Sequence, residues 1–283
     1  MTDLRRVPAR DGTMLAVHTV GAGSPVLCVP GGPGRASAYL ENLAGLDATN
    51  TLHLLDNRGS GASELPGDRD SLAFPRLADD VEDVRVALEM TPAAILGHSA
   101  GCPVALLHAA RYPDAVRRLV LVTPSGRPFG WPAEDIDDIR RSRTGEPWFE
   151  EANEAAEIAP SANPALRREL DRVMRPLWYG VWDERTQAHA ASADDQVSLR
   201  AAAGYVPGPD YDYRAAADGL KNITASVLVV VGALDAMTGA AVAEKFVEVL
   251  PDARVAVIPG AGHFPWVDAA EAFREAVASF LSD

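Results

Sequence analysis

The chain has 283 residues, 47% of them hydrophobic and 23% charged, and a formal net charge of -14. That excess of carboxylates disfavours binding to nucleic acid or anionic membrane surfaces, because both carry the same sign. Two cysteines make neither a disulfide framework nor a metal set, no apolar stretch reaches bilayer length, and Met1 to Arg6 lead into no signal-like segment. One catalytic core with an insert, in a reducing cytoplasm, is the expectation at this length.

Strands are expected near residues 14–20, 25–30 and 51–56. The second of these, Pro25-Val26-Leu27-Cys28-Val29, runs into Pro30-Gly31-Gly32-Pro33-Gly34. Prolines have no N–H, so any backbone donor in this loop must come from a glycine, and Gly32 is the candidate by position. A helix follows over 77–88, where apolar residues recur at helical spacing.

The strand expected at 93–98 ends in Gly97-His98-Ser99-Ala100-Gly101, and a helix is expected from Cys102 to Tyr112. A serine between small residues on a strand-to-helix turn is the sequence form of a nucleophile elbow. It leaves Ala100 to supply a second N–H at the head of the helix. The plainer alternative is that Ser99 merely caps the helix.

After a strand over 117–122, the stretch 125–220 lacks strand-like runs and reads as an inserted helical cap, with 1–124 and 221–283 as the core. Trp131, Trp148, Trp178, Trp182 and several Phe and Tyr residues fall in the insert, either as its own core or as pocket lining. Glu150, Glu151, Glu154 and Glu157 recur at helical spacings, as a solvated face or as an anchor for a substrate amine.

The strand over 226–231 leads to Gly232-Ala233-Leu234-Asp235, and the strand over 253–258 leads to Pro259-Gly260-Ala261-Gly262-His263. A last helix is expected over 269–281. A nucleophilic serine needs a base and a group that orients the base, and the chain order Ser99, Asp235, His263 supplies both. Asp235 has the alternative reading of a turn residue. The other histidines lie in expected strands, in the elbow, on a helix or in the insert.

This order resembles the α/β-hydrolase superfamily over nearly the whole chain except the middle. Pro30-Gly31-Gly32-Pro33-Gly34 and Asp56-Asn57-Arg58-Gly59-Ser60-Gly61-Ala62-Ser63 are similar to two segments of its proline iminopeptidase branch. Two positions depart from that branch. Pro30 stands where its oxyanion loop opens on histidine, and the elbow is Gly-His-Ser-Ala-Gly where the peptidases carry Gly-Gly-Ser-Trp-Gly. The resemblance implies an α/β fold with a mostly parallel, doubly covered sheet, Ser99, Asp235 and His263 as triad, and Gly32 and Ala100 as oxyanion donors. A serine hydrolase acting on an ester or amide of a small molecule is the first expectation. A short-peptide aminopeptidase, and a lyase or ligand-binding protein on the same scaffold, are the alternatives. No phosphate loop, dinucleotide fingerprint or metal-ligand spacing is present, so no cofactor is expected.

Overall fold

The computed structural model describes residues 3–282. Eight strands form one sheet: β1 Asp3–Pro8, β2 Met14–Gly21, β3 Ser24–Val29, β4 Asn50–Asp56, β5 Ala93–His98, β6 Val116–Val122, β7 Ser226–Gly232 and β8 Ala253–Ile258. Their spatial order is β1-β2-β4-β3-β5-β6-β7-β8, antiparallel at β1/β2 and β2/β4 and parallel elsewhere. Every strand expected from the sequence is present, in an α/β-hydrolase fold. β1 was not expected. Five of its six residues are exposed and only Val7 is buried, so it carries no apolar run to recognise.

The central strands are apolar on both faces because both faces are covered. Leu27 and Val29 of β3, and Val227, Val229 and Val231 of β7, join a cluster with Leu77, Val81 and Val84 of α1 (Phe74–Ala87) and Leu106 of α2 (Gly101–Arg111). Their alternate neighbours Val26, Cys28, Leu228 and Val230 join Phe273, Val277 and Phe280 of the final helix, Ala270–Ser282, on the other face. Each such Leu or Val contributes about 1.5–3 kcal/mol by leaving water.

Between β6 and β7 the described residues form helices, short turns and no strand, apart from an isolated bridge between Arg35 and Val197. The helix Phe149–Ile158 buries Ala152 and Ala155 against Met174 and Leu177, a small core of the insert's own. Glu150, Glu151, Glu154 and Glu157 are all exposed on its other side. Of the aromatic residues between β6 and β7, Phe129, Phe149 and Tyr179 are buried. Because β3, β5, β6, β7 and β8 run parallel, the loops after β3, β5, β7 and β8 leave the same edge of the sheet. In open α/β sheets this carboxyl edge is where ligands bind. Among the described residues no helix is long and apolar enough to cross a membrane.

Candidate active site

β5 ends at His98 and α2 begins at Gly101, so the chain must reverse within two residues. Ser99 makes that turn with φ 50°, a left-handed conformation costly for a side chain with a Cβ. The surroundings hold it there. Ser99 N–H donates to Val122 O at 2.9 Å, and Ser99 O accepts from Cys102 N–H at 2.9 Å. The flanking glycines are required by close approach. A Cβ on Gly97 would lie 2.9 Å from Gly101 O, and one on Gly101 would lie 2.2 Å from Val29 O.

Asp235 follows β7 and is fully buried. Its Oδ2 lies 3.0 Å from His263 Nδ1 and accepts from Thr238 Oγ1–H at 2.6 Å, while Oδ1 accepts from Met237 N–H at 2.9 Å. Burial pushes the carboxyl up, but the charge and hydrogen bond of His263, with the bonds from Thr238 and Met237, outweigh it and hold Asp235 below the usual carboxylate range. An ionised Asp235 accepts from Nδ1–H, which leaves Nε2 as the nitrogen available for exchange.

The structure brings His263 and Asp235 into contact and sets the backbone of His263 against the elbow. The His263 carbonyl accepts from His98 Nε2 at 3.0 Å and from Thr123 Oγ1–H at 3.1 Å, and the rings of His98 and His263 lie 4.9 Å apart. Among the described residues no hydrogen bond joins Ser99 Oγ to the His263 ring. Ser99 is 9% exposed and His263 2%, so little water reaches either.

The loop after β3 packs directly on the serine, since a Cβ on Gly31 would lie 2.8 Å from Ser99 Cβ. The N–H of Gly31 is already used, donating to Tyr39 Oη at 2.7 Å. Among the described residues the N–H groups of Gly32 and Ala100 have no acceptor. Tyr205 of the insert donates to the Ala100 carbonyl at 2.5 Å, bracing the head of α2.

Sequence reasoning missed two residues here. His98 is fixed as a neutral ring, since its Nε2 can only donate to the His263 carbonyl and its Nδ1 lies 2.7 Å from Tyr39 Oη. Burial, and then the charge of His263, push its pKa well down. Tyr39 therefore donates to His98 while accepting from Gly31. One chain of bonds thus links the β3 loop, the elbow and the His263 loop. The elbow pattern singles out Ser99 and says nothing of His98, while Tyr39 lies in a short 3-10 turn with no periodicity to mark it.

The insert grips the β3 loop as well. Arg35 is buried, its Nε donates to Gln196 Oε1 at 2.9 Å, and its Nη2 donates to Ser192 Oγ at 2.9 Å and His189 O at 3.1 Å. Backbone bonds run from Ala36 N–H to Gln196 O and from Ser198 N–H to Gly34 O. The Asp56–Ser63 segment is structural bracing. Asp56 accepts from Ser37 N–H and Ala62 N–H, and Arg58, fully buried, pairs with Asp80 of α1 and with Asp11.

Residues 24–270 match the family described as having the alpha/beta hydrolase fold, and the chain belongs to that family. It is 28% identical to a pimeloyl-[acyl-carrier protein] methyl ester esterase from Chromobacterium violaceum, over 94% of this chain and 98% of that protein. It is 31% identical to a proline iminopeptidase from Heyndrickxia coagulans, but over only 37% of this chain, which spans 36% of that relative's length. A crystal structure of a proline iminopeptidase from Mycobacterium smegmatis shares the fold with a TM-score of 0.77 at 24% identity, covering 99% and 98% of the two chains. The protein is a hydrolase of the α/β-hydrolase type.

Proposed function

We propose that the protein is a serine hydrolase that cleaves an ester or amide bond of a small molecule through an acyl-enzyme on Ser99. The observation that carries this reading is Ser99 held at φ 50° at the head of α2, next in sequence to His98, whose ring lies 4.9 Å from that of His263 in its buried 3.0 Å pair with Asp235. His263, oriented by Asp235, takes the Ser99 proton through Nε2 as Oγ attacks the carbonyl. Negative charge then forms on the carbonyl oxygen, and the free N–H groups of Gly32 and Ala100 are the donors assigned to it. Collapse of the tetrahedral intermediate breaks the bond to the leaving group, which receives the proton from His263. Water, deprotonated by the same ring, then attacks the acyl-enzyme and releases the acid. Residues 125–220 act as a cap over this site.

The full-length similarity to a protein named as a methyl ester esterase favours ester cleavage. The aminopeptidase alternative needs a carboxylate to hold the substrate's free amine, and the four glutamates suggested by the sequence are exposed. Two buried free cysteines suit a reducing cytoplasm.

The test is a panel of aryl esters, lactones, and amino-acid arylamides with and without an N-acyl group, run beside Ser99→Ala. Ester turnover that falls at least about a thousandfold in Ser99→Ala, with an unchanged circular dichroism spectrum, is the expected result. Turnover near the wild-type rate in that variant refutes the assignment. A preference for free over N-acylated arylamides moves it to the aminopeptidase.

A further inference from the structure

Just after the histidine loop stands a second carboxylate, Asp268, to which the chemistry above gives no task. It ends the short helix Pro265–Asp268, which starts two residues after His263. Its Oδ2 accepts from Gly262 N–H at 2.8 Å and from Gly180 N–H at 2.9 Å, and its Oδ1 is buried with no partner. Burial pushes this carboxyl up to about 6, while the Gly180, Gly262 and Val181 amides and the charge of Arg143 pull the other way. A partly unsatisfied buried carboxylate is costly, and where one occurs in a native fold it calls for an explanation.

The two amides come from different parts of the molecule. Gly262 immediately precedes His263, so its bond to Asp268 closes the chain on itself around the imidazole. Gly180 belongs to the insert, and the segment 178–180 runs directly against the histidine loop. His263 N–H donates to Trp178 O at 2.7 Å. A Cβ on Gly180 would lie 1.7 Å from Gly260 O, and one on Gly262 would lie 2.5 Å from Trp178 O. From the other side the buried Arg143 donates to Tyr179 O at 3.0 Å and Gly180 O at 3.1 Å, and the Tyr179 ring stacks on Phe264 at 4.9 Å.

We propose that Asp268 is a positioning residue for His263, a single oxygen that pins the imidazole's loop to segment 178–180 and so sets where Nε2 stands. The proposal rests on the reading of His263 as the general base. Without that oxygen Gly262 and Gly180 lose their common acceptor, and among the described residues the bond from His263 N–H to Trp178 O is the hydrogen bond that still ties the histidine loop to segment 178–180. Misplacement of a catalytic group by about 1 Å costs about a hundredfold in rate.

The experiment compares Asp268→Ala, Asp268→Ser and Asp268→Asn with wild type by the rate of Ser99 labelling by a fluorophosphonate, by kcat and KM on an aryl ester, and by thermal unfolding. Asn keeps an oxygen at the shared position and puts its amide nitrogen where Oδ1 has no partner. Asp268→Ala is expected to label and turn over about 10- to 100-fold more slowly per folded molecule, with KM within about threefold. Asp268→Asn is expected to recover to within about threefold of wild type. If Asp268→Ala does not fold, Asp268→Ser carries the same expectation, its short hydroxyl being unable to reach both amides. A labelling rate equal to wild type in the folded Ala or Ser variant overturns the proposal, even if the melting temperature falls, because that is a structural role alone. Asn as slow as Ala also overturns it. Failure of the underlying reading shows separately, as continued turnover by Ser99→Ala.

Discussion

Tyr39 lies 2.7 Å from both Gly31 N and His98 Nδ1, so its hydroxyl is at once acceptor and donor in a buried site. Tyr39→Phe leaves both partners unsatisfied, at about 1–3 kcal/mol of stability. It also frees the loop that carries Gly32. About a tenfold fall in kcat on an aryl ester, with KM little changed, is the expected kinetic signature. Urea unfolding together with steady-state kinetics checks both halves, and an unchanged kcat would show that Gly31 is held without the tyrosine. At this scale the sequence was legible where a residue stands alone at the end of an apolar run. Ser99 and Asp235 each follow a buried strand, His263 follows β8, which is apolar in sequence but largely exposed, and all three sit among glycines or in a short loop. Tyr39, His98 and Asp268 were not legible. Their roles depend on which atoms meet across distant parts of the chain, as when His98 reaches a carbonyl 165 residues away.

The strands were readable as apolar runs, continuous in the central parallel strands β3, β5, β6 and β7 that are covered on both faces, and all seven expected strands fall within a residue or two of where the pattern puts them. β1 escaped because an edge strand facing water needs no such run. The antiparallel pairing of β2 with β4 was hidden too, since periodicity carries no direction. Elements are also tied by charge. Arg58, after β4, and Asp80, in α1, are both buried, and among the described residues Asp80 has no other cationic partner at hydrogen-bond distance. Arg58→Ala strands the carboxylate and is expected to lower stability by about 3–5 kcal/mol, whereas replacing both members with apolar residues of similar volume restores most of it. Urea melts of the single and double variants measure this, and equal losses in the two would rule out the buried charge as the cause.

For the molecule as a whole, acid is the expected weakness. His189, in the helix Glu184–Ala191, lies between Tyr179 Oη at 2.7 Å and the Tyr39 carbonyl at 3.0 Å, and burial lowers its pKa to about 4. An unfolded histidine titrates near 6.5, so between these values the unfolded chain binds the extra proton. The stability contributed by the neutral ring is complete above pH 6.5 and drains away as pH falls towards 4, at up to about 1.4 kcal/mol per unit. Asp268, raised to about 6, acts in the opposite sense below that pH, so the wild-type curve alone does not isolate the histidine. The difference from His189→Gln does. Urea unfolding at pH 7 and pH 5 should show wild type losing about 1–2 kcal/mol more than the variant, and equal losses would remove His189 from the account.

The seams between the insert and the two loops of the site are made of main chain, at Ala36 to Gln196 and Gly34 to Ser198 on one side and at His263 to Trp178 on the other. Main-chain seams tolerate no change of length on either partner. A chimera that borrows a relative's middle segment to change substrate preference therefore has to import that relative's β3 and histidine loops with it. Exchanged alone, the segment would arrive with its own spacing and pull the β3 loop and the histidine loop out of register together.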